Sequence, residues 1–159
     1  MDLSAVDPDS PAGAADWDAI LKKTLPYVDF FVPSAEELCY MLDEEKMHTW
    51  ERLAEEKGKD ITEVIDINKD IKPLAQKCME YGAKVLIIKC GAAGMYYCSG
   101  SKEELEYLAN HNIDVDSWAG RDGFERSYVP EKVLSGTGAG DTSIAAFLTA
   151  MLEGYGFAQ

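Results

Sequence analysis

The chain has 159 residues, of which 47% are hydrophobic, so it is long enough to bury the core of one domain and too apolar to be disordered. Its formal net charge of −14 argues against nucleic acid as a partner, because neutralising a phosphate backbone requires clustered Lys and Arg. The apolar runs are far shorter than a bilayer requires, and the first residues do not resemble a secretory signal. The sequence therefore predicts no membrane partner and a cytoplasmic location.

Cysteine and histidine show no pattern typical of a disulfide framework or a zinc site. The chain contains four cysteines, namely Cys39, Cys78, Cys90 and Cys98. They show no Cys-x-x-Cys spacing, and Cys39 and Cys90 lie within apolar runs, which favours small buried side chains. His48 and His111 lie in polar surroundings, so we expect both to be surface residues.

The first half of the chain alternates helix-like and strand-like patterns. Residues 16–25 place their apolar side chains on one helical face, and residues 28–32 are β-branched and aromatic, as in a buried strand. A second helix is predicted for residues 34–42. Residues 43–70 are strongly charged, which predicts one or two exposed helices with Gly58 as a break.

The second half contains the clearest strand. A helix over residues 70–81, ended by Gly82, leads into a continuous apolar strand at 84–89, a pattern typical of half a parallel βαβ unit. A further strand is predicted at 95–98. The part from 99 to 126 is too irregular to assign beyond a short helix near Leu105 and Leu108.

The last part is predicted to be an extended segment followed by a helix. Residues 126–134 should be extended, with Tyr128 and Val129 facing inward, and residues 141–153 should be helical. Because helices and strands alternate, the predicted fold class is α/β with a mostly parallel sheet.

The glycine-rich stretch that precedes the last helix is the strongest functional signal. It reads Gly-Thr-Gly-Ala-Gly-Asp, from Gly136 to Asp141, and it leads directly into good helix formers. A glycine-rich turn before a helix can bind an anion, because unpaired amides and the helix dipole point to the same place. Asp141 then has two interpretations: it caps the helix, or it lies beside a bound phosphate and accepts a proton.

Two other short motifs are ambiguous on local grounds. Ser34-Ala-Glu-Glu37 is a capping box, in which each of the two outer side chains satisfies a backbone amide of the first turn. Gly91-Ala-Ala-Gly94 is either a plain hairpin turn with positive φ angles or a ligand loop at the carboxyl end of a strand.

Two alternative nucleotide motifs do not fit. The glycine spacing is Gly-x-Gly-x-Gly rather than the Gly-x-Gly-x-x-Gly of dinucleotide-binding enzymes. A P-loop requires Lys at the position that Asp141 occupies.

The order of these three motifs resembles the ribokinase (PfkB-type) family of carbohydrate and nucleoside kinases. The Gly-Ala-Gly-Asp run is the most specific part of the resemblance. It implies a ribokinase-like three-layer α/β/α fold and ATP-dependent phosphorylation of a sugar or related small alcohol. It also implies that Gly138, Ala139 and Gly140 form the anion hole and that Asp141 is the catalytic base.

The resemblance implies roles for the two upstream motifs as well. One loop would lie along the nucleotide, together with Ser34. The residues of this loop assigned to the nucleotide are Lys89, Gly91, Ala92, Ala93 and Gly94. Glu37 would organise Mg²⁺ through water, and this metal is expected because the acidic chain cannot itself neutralise a triphosphate. With the family context the metal role of Glu37 is favoured, although Glu37 can also cap its helix.

The sequence departs from the family pattern at three points. Ser34 stands where the family has Asn, and Ser135-Gly136 replaces the Asp-Thr that helps to hold a monovalent cation in some members. We therefore do not extend the resemblance to potassium activation. The match also covers only the second half of a typical member, so we expect a single partial domain that is inactive alone.

The resemblance leaves two functions open. The leading hypothesis is the carboxyl-terminal catalytic portion of a carbohydrate kinase, with a small-molecule sugar or alcohol as its partner and with homo-oligomers as a further option. The alternative is a non-catalytic member that binds a nucleotide or a sugar and regulates another process.

Overall fold

A four-stranded sheet organises the computed structural model, which describes residues 1–129, 131–132 and 136–157. Its strands lie side by side in chain order. They are β1 (Phe30–Phe31), β2 (Val85–Lys89), β3 (Gly94–Ser99) and β4 (Asp122–Arg126). The strand predicted at 28–32 is therefore present but short, and β4 was not predicted.

The sheet is mixed, so the prediction of a mostly parallel sheet is wrong for the described residues. Only β1 and β2 are parallel, whereas β2–β3 and β3–β4 are antiparallel. The reason is the connection after β2: a single tight turn, Gly91–Ala93, joins it to β3, and a connection this short can only reverse the chain. The long helical crossover that a parallel pair needs lies only between β1 and β2.

The first three helices begin where the sequence predicts, one before β1 and the other two between β1 and β2. Helix α1 (Trp17–Thr24) is capped by Asp16, α2 (Ala35–Leu42) by Ser34, and α3 (Glu44–Lys57) by Asp43. Each capping side chain accepts a hydrogen bond from an amide of the first turn, which is the reason that Ser and Asp favour this position. Gly58 ends α3 in the left-handed conformation, as predicted.

The remaining helices precede β2 or follow β3. Helix α4 (Lys72–Glu80) continues a π-helical turn at Ile67–Ile71. Two four-residue helices, α5 (Lys102–Leu105) and α6 (Val115–Trp118), connect β3 to β4. Helix α7 (Ala139–Leu152) begins two residues before the predicted start, so Ala139 and Gly140 belong to its first turn.

Hydrophobic clusters cover both faces of the sheet. On one face, Leu86 and Ile88 belong to the same cluster as Leu38 of α2 and Leu74 of α4. The alternate residues of β2 point the other way: Val85 clusters with Trp118 and Met151, and Ile87 with Ile144. A strand buried on both faces explains the continuous apolar run at 85–88. The three-layer α/β/α arrangement stays a prediction.

The segment after β4 differs from its prediction. Tyr128 and Val129 do not face inward, because they are 100% and 94% exposed. Of the other residues in this predicted segment, Pro130, Val133 and Leu134 lie outside the described residues, as does Ser135.

The cysteines and histidines lie where the sequence predicts. All four cysteines are free and buried, and both histidines are exposed. Within the described residues, no helix has the length and apolar character needed to cross a membrane.

Candidate active site

The first component of the candidate site is the pair of adjacent strand ends formed by β1 and β2. The Lys89 amide donates a hydrogen bond to the Pro33 carbonyl oxygen at 2.9 Å, and Ser34 forms a parallel bridge with Lys89. Because the two strands are parallel, their carboxyl ends lie at the same edge of the sheet. The structure therefore brings Ser34 and Lys89 together, as their shared assignment to the nucleotide requires.

Glu37 caps helix α2, and the capping box predicted from the sequence is confirmed. Its Oε2 accepts a hydrogen bond from the Ser34 amide at 2.8 Å, and the Glu37 amide donates to Ser34 Oγ at 3.2 Å. Glu37 is half-buried and forms part of the wall of a recess of about 440 Å³. The capping geometry fixes the carboxylate at the strand edge, so structural and metal-related roles are compatible.

The electrostatics around Glu37 favour a cation. Burial raises the pKa of the neighbouring Glu36 carboxyl, and the negative charges of Asp60, Glu37 and Glu51 raise it further. Glu51 also accepts a hydrogen bond from His48 at 2.9 Å, which raises the pKa of that imidazole. The recess beside Glu37 therefore carries an excess of negative charge that bound cations would relieve.

The donor set fits a metal held through water rather than one held directly. Among the described residues, no group of three or more His, Cys, Asp or Glu side chains could hold a metal ion. Mg²⁺ usually keeps several water ligands and is held by one or two carboxylates together with substrate phosphates. Glu37 fits that sparse requirement.

The Gly91–Gly94 loop is a hairpin turn whose glycines the fold itself requires. Gly91 and Gly94 have φ angles of 55° and 136°, and a Cβ at Gly94 would lie 2.0 Å from the Glu125 carbonyl oxygen. A Cβ at Gly91 would lie 2.7 Å from the Thr62 side chain. The hairpin interpretation is confirmed. The nucleotide role of this loop, in which Ala92 and Ala93 are exposed, stays a prediction.

Helix α7 begins differently from α1, α2 and α3. Its N-cap is Gly138, in the left-handed conformation with φ 75°, and this N-cap residue has no side chain that could accept from the amides of the first turn. The Ala139 amide donates to the Gly136 carbonyl oxygen and the Thr142 amide to that of Gly138. Gly138 therefore turns the chain into the helix while leaving the start of α7 open to a ligand.

Gly140 joins this helix start to the end of β2. A Cβ at Gly140 would lie 3.6 Å from Lys89 Cδ and 3.9 Å from Lys89 Nζ, so the Lys89 side chain runs beside the first turn of α7. Three motifs that are far apart in the sequence thus meet at one edge of the sheet. They contribute Ser34, Lys89 and Gly140.

Asp141 lies in this first turn and is exposed. Within the described part of the chain no ion pair involves Asp141, and the nearby Lys89 pairs with Asp2. Asp141 therefore lies at the start of α7, where the sequence predicts an anion, and its role as the base stays a prediction.

Sequence reasoning missed Asp2. Both of its carboxylate oxygens contact Lys89 Nζ, at 2.8 and 3.0 Å, and this contact spans 87 positions of sequence. No local pattern marks an Asp that directly follows Met1. Only the pairing of Met1 with β1 brings it to the strand edge.

The arrangement provides an ammonium group, open helix-terminal amides and a separate carboxylate at one place. The Lys89 ammonium and the amides of α7 can neutralise and orient a phosphate. The Asp141 carboxylate can accept a proton from an attacking hydroxyl. These are the groups that phosphoryl transfer to an alcohol requires.

Comparison with known families agrees with this chemistry. Residues 6–159 match the sequence model of the pfkB family carbohydrate kinases, which is nearly the whole chain. The chain therefore belongs to the pfkB family of carbohydrate kinases, whose members are phosphotransferases acting on small-molecule sugars and generally use ATP with Mg²⁺. The mixed α/β architecture is consistent with a ribokinase-like fold. No individual curated protein matches the chain.

Proposed function

We propose that this chain carries the phosphoryl-transfer site of an ATP-dependent, Mg²⁺-requiring kinase that phosphorylates a hydroxyl of a sugar or related small alcohol. The observation that carries the proposal is the closeness of the Lys89 side chain to Gly140, together with the backbone bridge between Lys89 and Ser34. This arrangement supports a site in which the start of α7 binds the phosphate next to the two strand ends proposed to contact the nucleotide.

The proposed mechanism assigns one task to each group. The amides of Gly138, Ala139 and Gly140 form the anion hole, and the Ala139 amide exchanges its 3.2 Å bond to the Gly136 carbonyl oxygen for the phosphate when it binds. The dipole of α7 adds to their attraction for the transferring phosphoryl group. Asp141 accepts the proton of the acceptor hydroxyl as its oxygen bonds to phosphorus and the bond to the ADP oxygen breaks. The proton thus ends on the Asp141 carboxylate, and ADP leaves with the electron pair of the broken bond.

The nucleotide would lie along the strand edge. Ser34, Lys89 and the Gly91–Gly94 turn are its proposed contacts, with Lys89 supplying the positive charge. Mg²⁺, held by Glu37 through water, would neutralise phosphate charge.

Three finer expectations stay predictions. The family match covers residues 6–159 but does not say which part of a family member they correspond to. That the chain is the carboxyl-terminal half, and that it forms a single partial domain, are therefore predictions. The cytoplasmic location and self-association of the chain are likewise predictions. The departure at Ser135-Gly136 leads us to propose no monovalent cation.

The proposal is tested by ADP release from a full-length protein offered a panel of sugars and small alcohols with Mg²⁺ and ATP. Asp141→Asn should lower kcat by at least about a hundredfold, the scale of general-base catalysis, with a smaller change in KM. Glu106→Gln is the matched control, because Glu106 is an exposed acid that lies outside the recess beside Glu37 and outside every proposed contact.

Two outcomes would contradict parts of the proposal. Undiminished turnover by Asp141→Asn would remove Asp141 from the role of base. Tight binding of ATP without product from any acceptor would favour the non-catalytic alternative.

A further inference from the structure

The Lys89 ammonium is held between two segments that are far apart in the sequence. On one side, both oxygens of Asp2 contact Nζ at 2.8 and 3.0 Å. On the other side, the first turn of α7 lies so close that a Cβ at Gly140 would be 3.9 Å from Nζ. The Lys89 side chain is only 15% exposed, so its long stem has little freedom to leave this position.

The backbone fixes Asp2 in place. The Met1 ammonium donates a hydrogen bond to the Phe30 carbonyl oxygen at 2.5 Å, and the Val32 amide donates to the Met1 carbonyl oxygen at 2.9 Å. Residue 1 is thus paired with β1 on the edge opposite β2. The ion pair therefore connects segments on the two sides of β1, and its geometry depends on the folded sheet.

We infer that Asp2 is a positioning residue for phosphoryl transfer: it holds the Lys89 ammonium beside Gly140, where that ammonium contacts a phosphate bound at the start of α7. This inference rests on the proposed function. An ammonium group has three N–H donors, and the two carboxylate contacts use at most two of them. At least one donor stays available for a phosphate oxygen.

Pairing with Asp2 also occupies Lys89, which lies beside Gly140, the residue directly before Asp141. A flexible lysine beside an exposed carboxylate pairs with it when no better partner is fixed nearby. Such a pair would place the cation on the proposed base and reduce its capacity to accept a proton. With Asp2 as its partner, Lys89 supplies positive charge to the phosphate and Asp141 keeps its carboxylate unpaired.

Charge alone predicts the opposite effect for the removal of Asp2. Loss of a negative charge near an anion site should strengthen anion binding, and the effect should be largest at low salt. Loss of a positioning contact should weaken it, because the Lys89 stem regains rotamer freedom that binding must then remove. The sign of the change therefore separates the two explanations.

The decisive measurement is calorimetric titration of the 159-residue chain with inorganic tripolyphosphate at low salt. Asp2→Asn should bind tripolyphosphate about tenfold more weakly than the unchanged chain, on the scale of one lost charge-assisted hydrogen bond. Asp2→Glu keeps the charge but alters the reach, so it should bind a few-fold more weakly. Asp9→Asn, which removes the same charge from the same exposed segment, should leave the affinity unchanged.

A double variant shows whether Asp2 acts through Lys89. In a Lys89→Met background, adding Asp2→Asn should cause no further loss of affinity. Thermal unfolding of each variant shows that it is folded at the titration temperature. If the Asp2→Asn variant is unfolded at that temperature, the affinities of the Asp2→Glu variant and the unchanged chain are compared instead. These two proteins carry equal charge, so a difference between them tests the positioning role.

The outcomes distinguish this inference from the proposed function. Suppose first that the unchanged chain binds tripolyphosphate. Equal or tighter binding by a folded Asp2→Asn variant would then overturn the positioning role alone, and so would unchanged affinity of the Asp2→Glu variant. Absence of binding by the unchanged chain would overturn both the proposed anion site and the positioning role.

Discussion

Gly94 faces the backbone of Glu125 across the β3–β4 pair so closely that a Cβ at position 94 would lie 2.0 Å from the Glu125 carbonyl oxygen. Gly94 also has a φ angle of 136°, which residues other than glycine rarely adopt. A glycine that looked like part of a ligand loop is thus needed to let two strands approach.

Gly94→Ala should therefore destabilise the protein strongly. Because the obstacle is backbone rather than a flexible side chain, we expect a loss of roughly 3–5 kcal/mol in the free energy of unfolding, measured by urea denaturation. Gly58→Ala is the control: Gly58 has φ 61° but open space around it, so only the conformational cost of about 1 kcal/mol should appear. Equal losses in the two variants would contradict the steric argument.

Gly140→Ala should behave in the opposite way. The new Cβ would make only ordinary contact with Lys89 Cδ at 3.6 Å, and alanine favours a helix over glycine by roughly 0.5–1 kcal/mol. We expect the free energy of unfolding to be unchanged or slightly raised, while tripolyphosphate binds about tenfold more weakly because the methyl group occupies the phosphate approach. Unchanged affinity would show that phosphate does not approach Gly140.

Glu37 has two roles that two substitutions can separate. Glu37→Ala removes the side chain that accepts from the Ser34 amide, so α2 should lose about 1 kcal/mol of stability in urea denaturation. Glu37→Gln can still accept that bond and should be nearly as stable as the unchanged chain. Both variants should raise the Mg²⁺ concentration needed for half-maximal ATP binding. If only Glu37→Ala does so, charge is not what Mg²⁺ requires there.

Glu36 gives a pH-dependent test of the negative recess. Its pKa is raised above 4.5 by burial first and by the charges of Asp60, Glu37 and Glu51 second. A carboxyl whose pKa is higher in the folded chain than in the unfolded chain stabilises the fold in its protonated form. This contribution is fully present below the pKa of the unfolded chain and is lost as the pH rises through the pKa of the folded chain. Glu36→Gln should therefore be more stable than the unchanged chain at pH 7, and this difference should disappear below about pH 4.5.

The expected gain is below about 1 kcal/mol, because Glu36 is only partly buried and solvent screens its neighbours. Urea denaturation at pH 7 and again below pH 4.5 measures it. Glu56→Gln on the exposed face of α3 is the control, for which we expect no gain at either pH. A gain that persists at the lower pH would show that the charge of Glu36 is not its cause.

Local patterns were sufficient for the well-formed elements. Helices α1 to α4, strand β2 and helix α7 were predicted because apolar spacing, N-caps and glycine C-caps act within a few residues of each other. The capping box at Ser34 is the clearest case, since both of its hydrogen bonds are local.

Features that depend on distant segments could not be predicted in the same way. Strand β4 has a polar sequence, Asp-Gly-Phe-Glu-Arg, and forms because β3 offers it a partner. Tyr128 and Val129 look like buried strand residues but continue past β4 into solvent. The contact of Asp2 with Lys89 arises only after the first residue pairs with β1.

The site shows the same division. The glycine-rich start of α7 and the residues at the ends of β1 and β2 were found from sequence, because each motif is contiguous. Their meeting at Lys89 and Gly140 is a property of the sheet. The proton-accepting role of Asp141, the anion hole and the water-mediated metal at Glu37 stay predictions.

The four buried cysteines have a practical consequence. Burial raises the pKa of Cys39, Cys78 and Cys98 to about 12 and that of Cys90 to about 11, so the folded protein presents almost no thiolate near neutral pH. An alkylating reagent would therefore modify each thiol only when its surroundings open. The order in which Cys39 on α2, Cys78 on α4, Cys90 after β2 and Cys98 on β3 become labelled would report, without any introduced probe, which part of the sheet and its covering helices separates first.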